Sequence, residues 1–156
     1  MSRASKTERK KLSKPDSSYH SPLVARFINK VMEQGKKSIA QRIVYLALAS
    51  ASENKKDALE ILKKAMDEVT PKMEVRARRV GGATYQVPGP VRHDRAESLA
   101  IRWILTSARA RKGVPMYKKL SLELKDAASG IGNAVKKRET MHKMAEANRA
   151  FAHFRW

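Results

Sequence analysis

The chain contains no cysteine. Without thiols it can build neither a disulfide framework nor a thiolate metal site, which suits a reducing compartment. No apolar run approaches the roughly 18 residues of a membrane span. Acids are scarce. Fifteen Asp and Glu face thirty-four Lys and Arg in 156 residues, a formal net charge of +19. Solubility of a small domain needs far less than this, so the excess points to a polyanionic partner. The basic start, residues 1–14, is not followed by an apolar stretch of signal-peptide type, and an intracellular place is expected.

What is present fits one folded body. A hydrophobic share of 42% beside 31% charged residues is that of a globular chain. The cations are unevenly spread: residues 1–14 hold six against one acid, residues 72–113 ten against three, and residues 133–156 six against two. The stretches between are close to neutral and read as scaffold. We expect a basic, flexible tail over residues 1–18 and a single helical domain over 19–156, with an arm at 72–88.

Helical periodicity sets out the scaffold. Ser21-Pro22 supplies a cap and a proline at the first helical position, and Leu23, Val24, Phe27, Ile28, Val31 and Met32 follow at helical spacing until Gly35. Ser38 is the expected cap of a second helix with Ile39, Ile43, Leu46 and Ala47 on its inner face. Asp57 is the expected cap of a third, which carries Ala58, Ile61, Leu62, Ala65, Met66 and Val69 to a stop before Pro71.

At Met73 the period changes to two. A Gly81-Gly82 turn would pair Arg78 with Tyr85 and Arg76 with Val87, and Pro88-Gly89-Pro90 is expected to end the second strand. Arg76, Arg78 and Tyr85 then share one face while Arg79 lies on the other beside Thr84 and Gln86. No continuous apolar face seats this ribbon, so it is expected to project. Arginine's planar fork suits phosphates and stacks on bases.

Beyond the arm, Ala96 to Ala110 reads as a fourth helix with Leu99, Ala100, Trp103, Ile104 and Ala108 inward. Arg95, Arg102 and Arg109 recur every seven residues and stay nearly aligned. Only Asp94 and Glu97 accompany them, so pairing along the helix cannot neutralise the row, and phosphate contact is the preferred reading. Pro115 opens a fifth helix with Met116, Leu120, Leu124, Ala127 and Ala128 on one side, closed by Gly130 and Gly132. Asn133 is the expected cap of a sixth, apolar at Val135, Met141, Met144 and Ala145 and basic at Lys136, Lys137, Arg138 and Lys143. The chain ends in Phe151, Phe154, Arg155 and Trp156, and these aromatics suit either stacking on unpaired bases or folding back on the body.

Catalytic motifs fail on spacing. Gly35-Lys36-Lys37-Ser38 lacks the Ser or Thr directly after the first lysine, and Lys30 stands where a phosphate loop needs glycine. Gly130-Ile131-Gly132 follows a helix where a dinucleotide fingerprint requires a strand. His20, His93, His142 and His153 show no metal-ligand spacing, and Glu139 and Glu146 have no accompanying nucleophile. We expect no catalytic residue, no metal and no cofactor. A DNA-binding regulator would gather its charge on one recognition surface, and a membrane-surface helix needs an apolar face that the bundle already uses.

Three stretches carry a family resemblance: Arg78-Arg79-Val80-Gly81-Gly82-Ala83-Thr84-Tyr85-Gln86-Val87-Pro88, Leu99-Ala100-Ile101-Arg102-Trp103, and Met144-Ala145-Glu146-Ala147-Asn148-Arg149-Ala150-Phe151-Ala152-His153-Phe154-Arg155-Trp156. Together with Phe27-Ile28-Asn29-Lys30 and Gly35-Lys36-Lys37-Ser38 they resemble the bacterial type of small-subunit ribosomal protein seven, from about Tyr19 to the end. Pro88-Gly89-Pro90-Val91-Arg92 departs from the family's more usual nonprolyl sequence.

The resemblance implies a mainly α, six-helix domain with a projecting two-stranded β-hairpin between helices three and four. It implies a non-enzymatic constituent of the small ribosomal subunit that binds the 3′ major domain of its ribosomal RNA early and organises the head, among other head and platform proteins. The hairpin residues Arg78, Arg79, Gly81, Gly82 and Tyr85 would lie near the exit-site transfer RNA and the messenger RNA exit path. The ribosomal RNA surface would take Arg76, Arg78, Arg79, Lys36, Lys37, Arg92, Arg95, Arg102, Arg109 and Arg111, with Arg3, Lys6, Arg9, Lys10 and Lys11 of the tail threading between RNA helices. The expected place is a cytoplasmic ribosome, a plastid ribosome being equally compatible.

Overall fold

The computed structural model describes residues 14–154. Its elements run α1 (Pro22–Val31), α2 (Lys37–Ala51), α3 (Lys55–Val69), β1 (Met73–Val80), β2 (Ala83–Pro90), α4 (His93–Ala110), α5 (Met116–Ala128) and α6 (Asn133–Ala147), followed by a 3₁₀ turn at Arg149–Phe154. The body is therefore the expected bundle, with one antiparallel hairpin between α3 and α4.

The centre of the bundle is α5, which packs against α2, α3, α4 and α6. Its Leu120, Leu124 and Ala127 are buried together with Phe27 and Ile28 of α1, Val44 and Leu48 of α2, Leu62 and Val69 of α3, and Ile101 and Ile104 of α4. Each large side chain among these contributes about 1.5–3 kcal/mol on full burial. The N-terminal approach is tied down as well. Asp16 is buried, accepts hydrogen bonds from the amides of Ser18 (3.0 Å) and Tyr19 (3.1 Å), and receives the Tyr45 hydroxyl at 2.7 Å. Burial alone would raise the Asp16 carboxyl, but these hydrogen bonds, Tyr45 foremost, hold it below its ordinary value.

Several local expectations are corrected. On α2 the inner face is Ala40, Val44, Ala47, Leu48 and Ala51, while Ile39 is 54% and Leu46 41% exposed. The stretch Ile43–Ala49 is apolar on every side, so periodicity offers more than one stripe; small alanines at 40, 47 and 51 let α2 approach its neighbours closely and decide the face. On α4, Ile101 and Leu105 are buried while Leu99 and Trp103 are half-buried. Met144 of α6 is 48% exposed. The second strand ends at Pro90, within the expected Pro88-Gly89-Pro90 stop but two residues past the arm bound of 88: Met73 pairs with Pro90, and the Val91 amide still donates to the Lys72 carbonyl. A two-stranded ribbon has only edge strands, where a proline's missing N–H removes no ladder bond to a further strand.

The caps also differ. Residues at the N-cap positions of α2, α3 and α6 are Lys36, Asn54 and Gly132, each one or more residues before the expected Ser38, Asp57 and Asn133, and none makes a side-chain cap bond. For α6 the missing cap is supplied across the fold. Glu123 of α5, fully buried, accepts the Ala134 amide through Oε1 at 3.2 Å, placing a carboxylate where the helix macrodipole favours one. Gly132 makes room for it: at φ +121 a side chain is disfavoured, and an added Cβ would lie 3.4 Å from that same oxygen.

The other oxygen of Glu123 accepts from Arg111 Nη2 at 2.6 Å and Nε at 3.0 Å, and Arg111 also bonds Asp126. The hydrogen bond to Glu123 is the main reason the guanidinium is held above its already high ordinary value. One buried carboxylate thus joins the α4–α5 loop, α5 and α6. Arg111→Ala strands that carboxylate and is expected to cost about 3–5 kcal/mol in urea unfolding followed by circular dichroism, while Arg111→Met with Glu123→Gln, which keeps an oxygen for the Ala134 amide, recovers part of the loss.

Candidate nucleic-acid interface

The arm is built from its turn outward. Gly81 and Gly82 hold φ of +57 and +90, the double left-handed geometry of a primed hairpin turn, and the register pairs Arg78 with Tyr85, Arg76 with Val87 and Arg79 with Thr84 as expected. The tip is exposed from Gly81 to Thr84, and so is Arg79; Arg78 is half-buried. The base is different. Val87 and Pro88 are buried, and β1 and β2 both pack against α6, so the ribbon is seated at its root and free only beyond it.

The C-terminal aromatics complete that seat. Phe151 and Phe154 bring their rings to 5.2 and 5.0 Å from the Tyr85 ring, within the range of favourable aromatic pairs. Of the two readings open from sequence, these two rings take the folded-back one, and they fold onto the arm. Trp156 and Arg155 lie outside the described residues. A polar tie lies beside them: the Lys72 amide donates to His142 Nε2 at 3.0 Å, which requires that nitrogen to be unprotonated. Burial first, then the nearby Arg138 and Lys72 charges, push the His142 ring below its ordinary value.

The predicted cations divide into three groups. Lys36 and Lys37 are exposed at the start of α2, Arg92 is exposed just before α4, and Arg102 is exposed on it, without an ion-pair partner among the described residues. Arg95 and Arg109 keep their places in the row, but each has a carboxylate from another element: Glu74 of β1 accepts from Arg95 Nε at 2.6 Å, and Glu33 after α1 lies 2.6 Å from Arg109 Nη2. Glu74 also pairs with Arg76. Meanwhile Glu97, which sequence placed beside the row, turns inward to Arg26 of α1. Arg111 leaves the surface set: its side chain is only 28% exposed and is occupied by Glu123 and Asp126. Arg3, Lys6, Arg9, Lys10 and Lys11 lie outside the described residues.

Pairing counted along one helix could not find these partners, because they arrive through the fold. The residue most easily missed was Glu74. Its signal was present, since it is the one acid between Glu68 and Asp94 and sits inside the arginine-rich arm. Its side chain is 5% exposed. Burial would raise its carboxyl, but hydrogen bonds from Arg95 and Arg76 outweigh that and hold it low and ionised.

A helical body that carries a seated cationic ribbon beside an arginine row defines the class of a polyanion-binding structural protein. Among the described residues no helix is long and apolar enough to cross a membrane. A family profile described as "Ribosomal protein S7p/S5e" matches residues 2–149, and the chain belongs to that family. It is similar to the small ribosomal subunit protein uS7 of Dictyoglomus thermophilum, 58% identical over 143 residues, covering 91% of this chain and 92% of that protein. The protein of the same name from Thermosipho africanus is 59% identical with the same coverage, and that of Akkermansia muciniphila 54% identical over 149 residues, covering 94% of this chain and 95% of its own. Membership makes this chain a structural, RNA-binding protein of the ribosome and not an enzyme.

The seat of the arm is expected to respond to pH. With a folded value below its unfolded one, His142 contributes fully above the ordinary 6.5 and loses that contribution as pH falls through the lowered folded value. Thermal unfolding of the wild type should therefore weaken as pH falls below about 6.5 by more than that of His142→Gln, and the Lys72 amide resonance should titrate with the imidazole.

Proposed function

We propose that the chain is a structural constituent of the small ribosomal subunit that binds the 3′ major domain of its ribosomal RNA and nucleates assembly of the head, with the hairpin tip directed toward the exit-site transfer RNA and the messenger RNA exit path. The observation that carries this is the arrangement of charge. Exposed Arg79 and the Gly81-Gly82 tip stand out from a root fixed on α6 and tied to α4 through Glu74 and Arg95, while Arg92 precedes that helix and Arg102 and Arg109 lie further along it.

Folded RNA presents phosphates on several helices at once. Each phosphate neutralised releases condensed counterions, so affinity falls by about 0.7–0.9 log units per contact for each tenfold rise in salt. The narrow major groove of A-form RNA is closed to side chains, and selectivity then comes from shape and from unpaired bases. Cations fixed on separate elements match such a shape. In this reading Lys36 and Lys37 extend the ribosomal RNA surface across α2, Tyr85 braces the arm from within, and the basic residues of 1–14 form the tail that reaches between RNA helices, shorter than the expected 1–18 because Asp16 is held on the body by Tyr45. Its place of action is the ribosome, in a bacterial cytoplasm or a plastid.

A DNA-binding reading has no comparable support, because the cations are distributed over a ribbon and two helices and not gathered on one recognition helix. Binding of the transcribed 3′ major domain, measured across a salt series with duplex DNA as competitor, separates the two. Arg102→Ala is expected to weaken RNA binding and to lower the salt slope by about one contact. Shortening residues 76–86 should chiefly disturb transfer RNA at the exit site. Unchanged affinity and slope for Arg102→Ala would remove α4 from the interface.

A further inference from the structure

Glu74 does more than neutralise. It sits on β1 opposite Gly89 of β2, so no side chain faces it across the ribbon, and Arg76 opposite Val87 and Arg78 opposite Tyr85 follow on the same face. The carboxylate is buried while the Arg76 and Arg95 side chains that bond it are 58% and 52% exposed. Each guanidinium has five N–H groups, so a bond to Glu74 fixes the orientation of the fork and leaves other donors directed to solvent. Two cations from different elements, a strand and a helix, are thereby held as one unit.

Beside that unit lies a cleft of about 320 Å³ bounded by Arg76, Arg78, Val87, Pro88, Gly89 and Pro90. Its size is at the small end of ligand-binding clefts, roughly 300–1,000 Å³, and suits one nucleoside. The apolar part of the lining is the edge of Val87 and the backbone of Pro88-Gly89-Pro90, stiffened because the prolines fix their own φ. The cationic part of the lining is Arg76 and Arg78, whose guanidinium groups can stack on unpaired bases.

We propose that the cleft at the root of the arm receives one unpaired nucleotide of RNA, its base on the Val87–Pro90 wall against Arg78 and its phosphate on Arg76 and Arg95, with Glu74 as the residue that positions both arginines. This rests on the RNA-binding function proposed above and names where on the arm an unpaired base is held. It also makes a prediction opposite in sign to simple charge counting. Removing a carboxylate raises the net positive charge and should tighten binding to any polyanion; removing a positioning residue should weaken binding to the folded RNA that needs the arrangement.

The test uses the full chain, the transcribed 3′ major domain, and heparin as an unstructured polyanion. Glu74→Gln is expected to lower affinity for the RNA about tenfold while leaving heparin binding equal or tighter. Gly89→Leu narrows the cleft without altering charge, and should lower RNA affinity with an unchanged salt slope. RNA substituted with 4-thiouridine should crosslink to residues 76–90 in the wild type and lose that crosslink in Gly89→Leu. If the wild type prefers the RNA over heparin but Glu74→Gln binds both more tightly, or Gly89→Leu binds and crosslinks as the wild type does, the cleft is overturned and the general RNA-binding function stands. If the wild type itself shows no preference for the RNA, that function falls and the cleft with it. Should Glu74→Gln fail to fold by circular dichroism, Gly89→Leu alone decides.

Discussion

Like-charge crowding is the constraint on which the rest of this structure depends. A chain with a net charge of +19 must fold against its own repulsion and still present cations outward. Its answer is to place a few carboxylates inside. Glu74, Glu97 and Glu123 are all buried, and each is bonded to an arginine from another part of the fold: Arg95, Arg26 and Arg111. Burying an ion costs several kcal/mol, which is recovered only if geometry and hydrogen bonding are good. Here each arginine side chain stays partly exposed, so most of the desolvation falls on the carboxylate, although Arg26 also buries its Nε without a hydrogen-bond partner among the described residues. The three pairs join α1 to α4, the arm to α4, and the α4–α5 loop to α5 and α6.

The same arrangement explains how a two-stranded ribbon can be both an arm and a fixed part of the molecule. Isolated hairpins of this length are marginal in water. This one gains order at its root from Val87 and Pro88, from the Tyr85 contact with Phe151 and Phe154, and from the tie between the Lys72 amide and His142. The tip gains none of this and carries no buried residue from Gly81 to Thr84. Direction is therefore set by the body, while the part that would meet RNA remains unencumbered. Glu74 lies on the boundary between the two regimes, which is why its loss would disturb orientation more than folding of the bundle.

Sequence made the element order, the hairpin register and the Gly-Gly turn legible, because each depends on local chemistry: a change of period at Met73, two residues able to take positive φ, and prolines at Pro22 and Pro115. The inner face of α2 was not legible. Ile39 and Leu46 are larger than Ala40 and Ala47, yet the alanines face inward because interhelix distance, a tertiary quantity, favours small residues there. The candidate interface divides in the same way. Arg79 and Arg102 could be placed on the surface from spacing alone, whereas the engagement of half-buried Arg111 could not be read without knowing that Glu123 of α5 lies beside it. Whether an arginine is free or engaged is decided by residues distant in sequence.

Engaged arginines are not lost to binding. An exposed pair of unit charges about 4 Å apart is worth on the order of 1 kcal/mol in water, and phosphate oxygens can replace or share such a carboxylate at little cost. What the carboxylate supplies in the free protein is placement. A flexible cation carries roughly 2 kcal/mol of rotamer entropy that must be given up on binding, and Arg95 and Arg109 have already given up part of it to Glu74 and Glu33. Arg102 between them is exposed and has no ion-pair partner among the described residues. A row that alternates held and free guanidiniums along α4 combines fixed spacing, which a disordered polyanion cannot exploit, with one adaptable contact that tolerates small differences in the partner. In the proposed RNA-binding function, selectivity for a folded polyanion would then follow from the few acids as much as from the many bases.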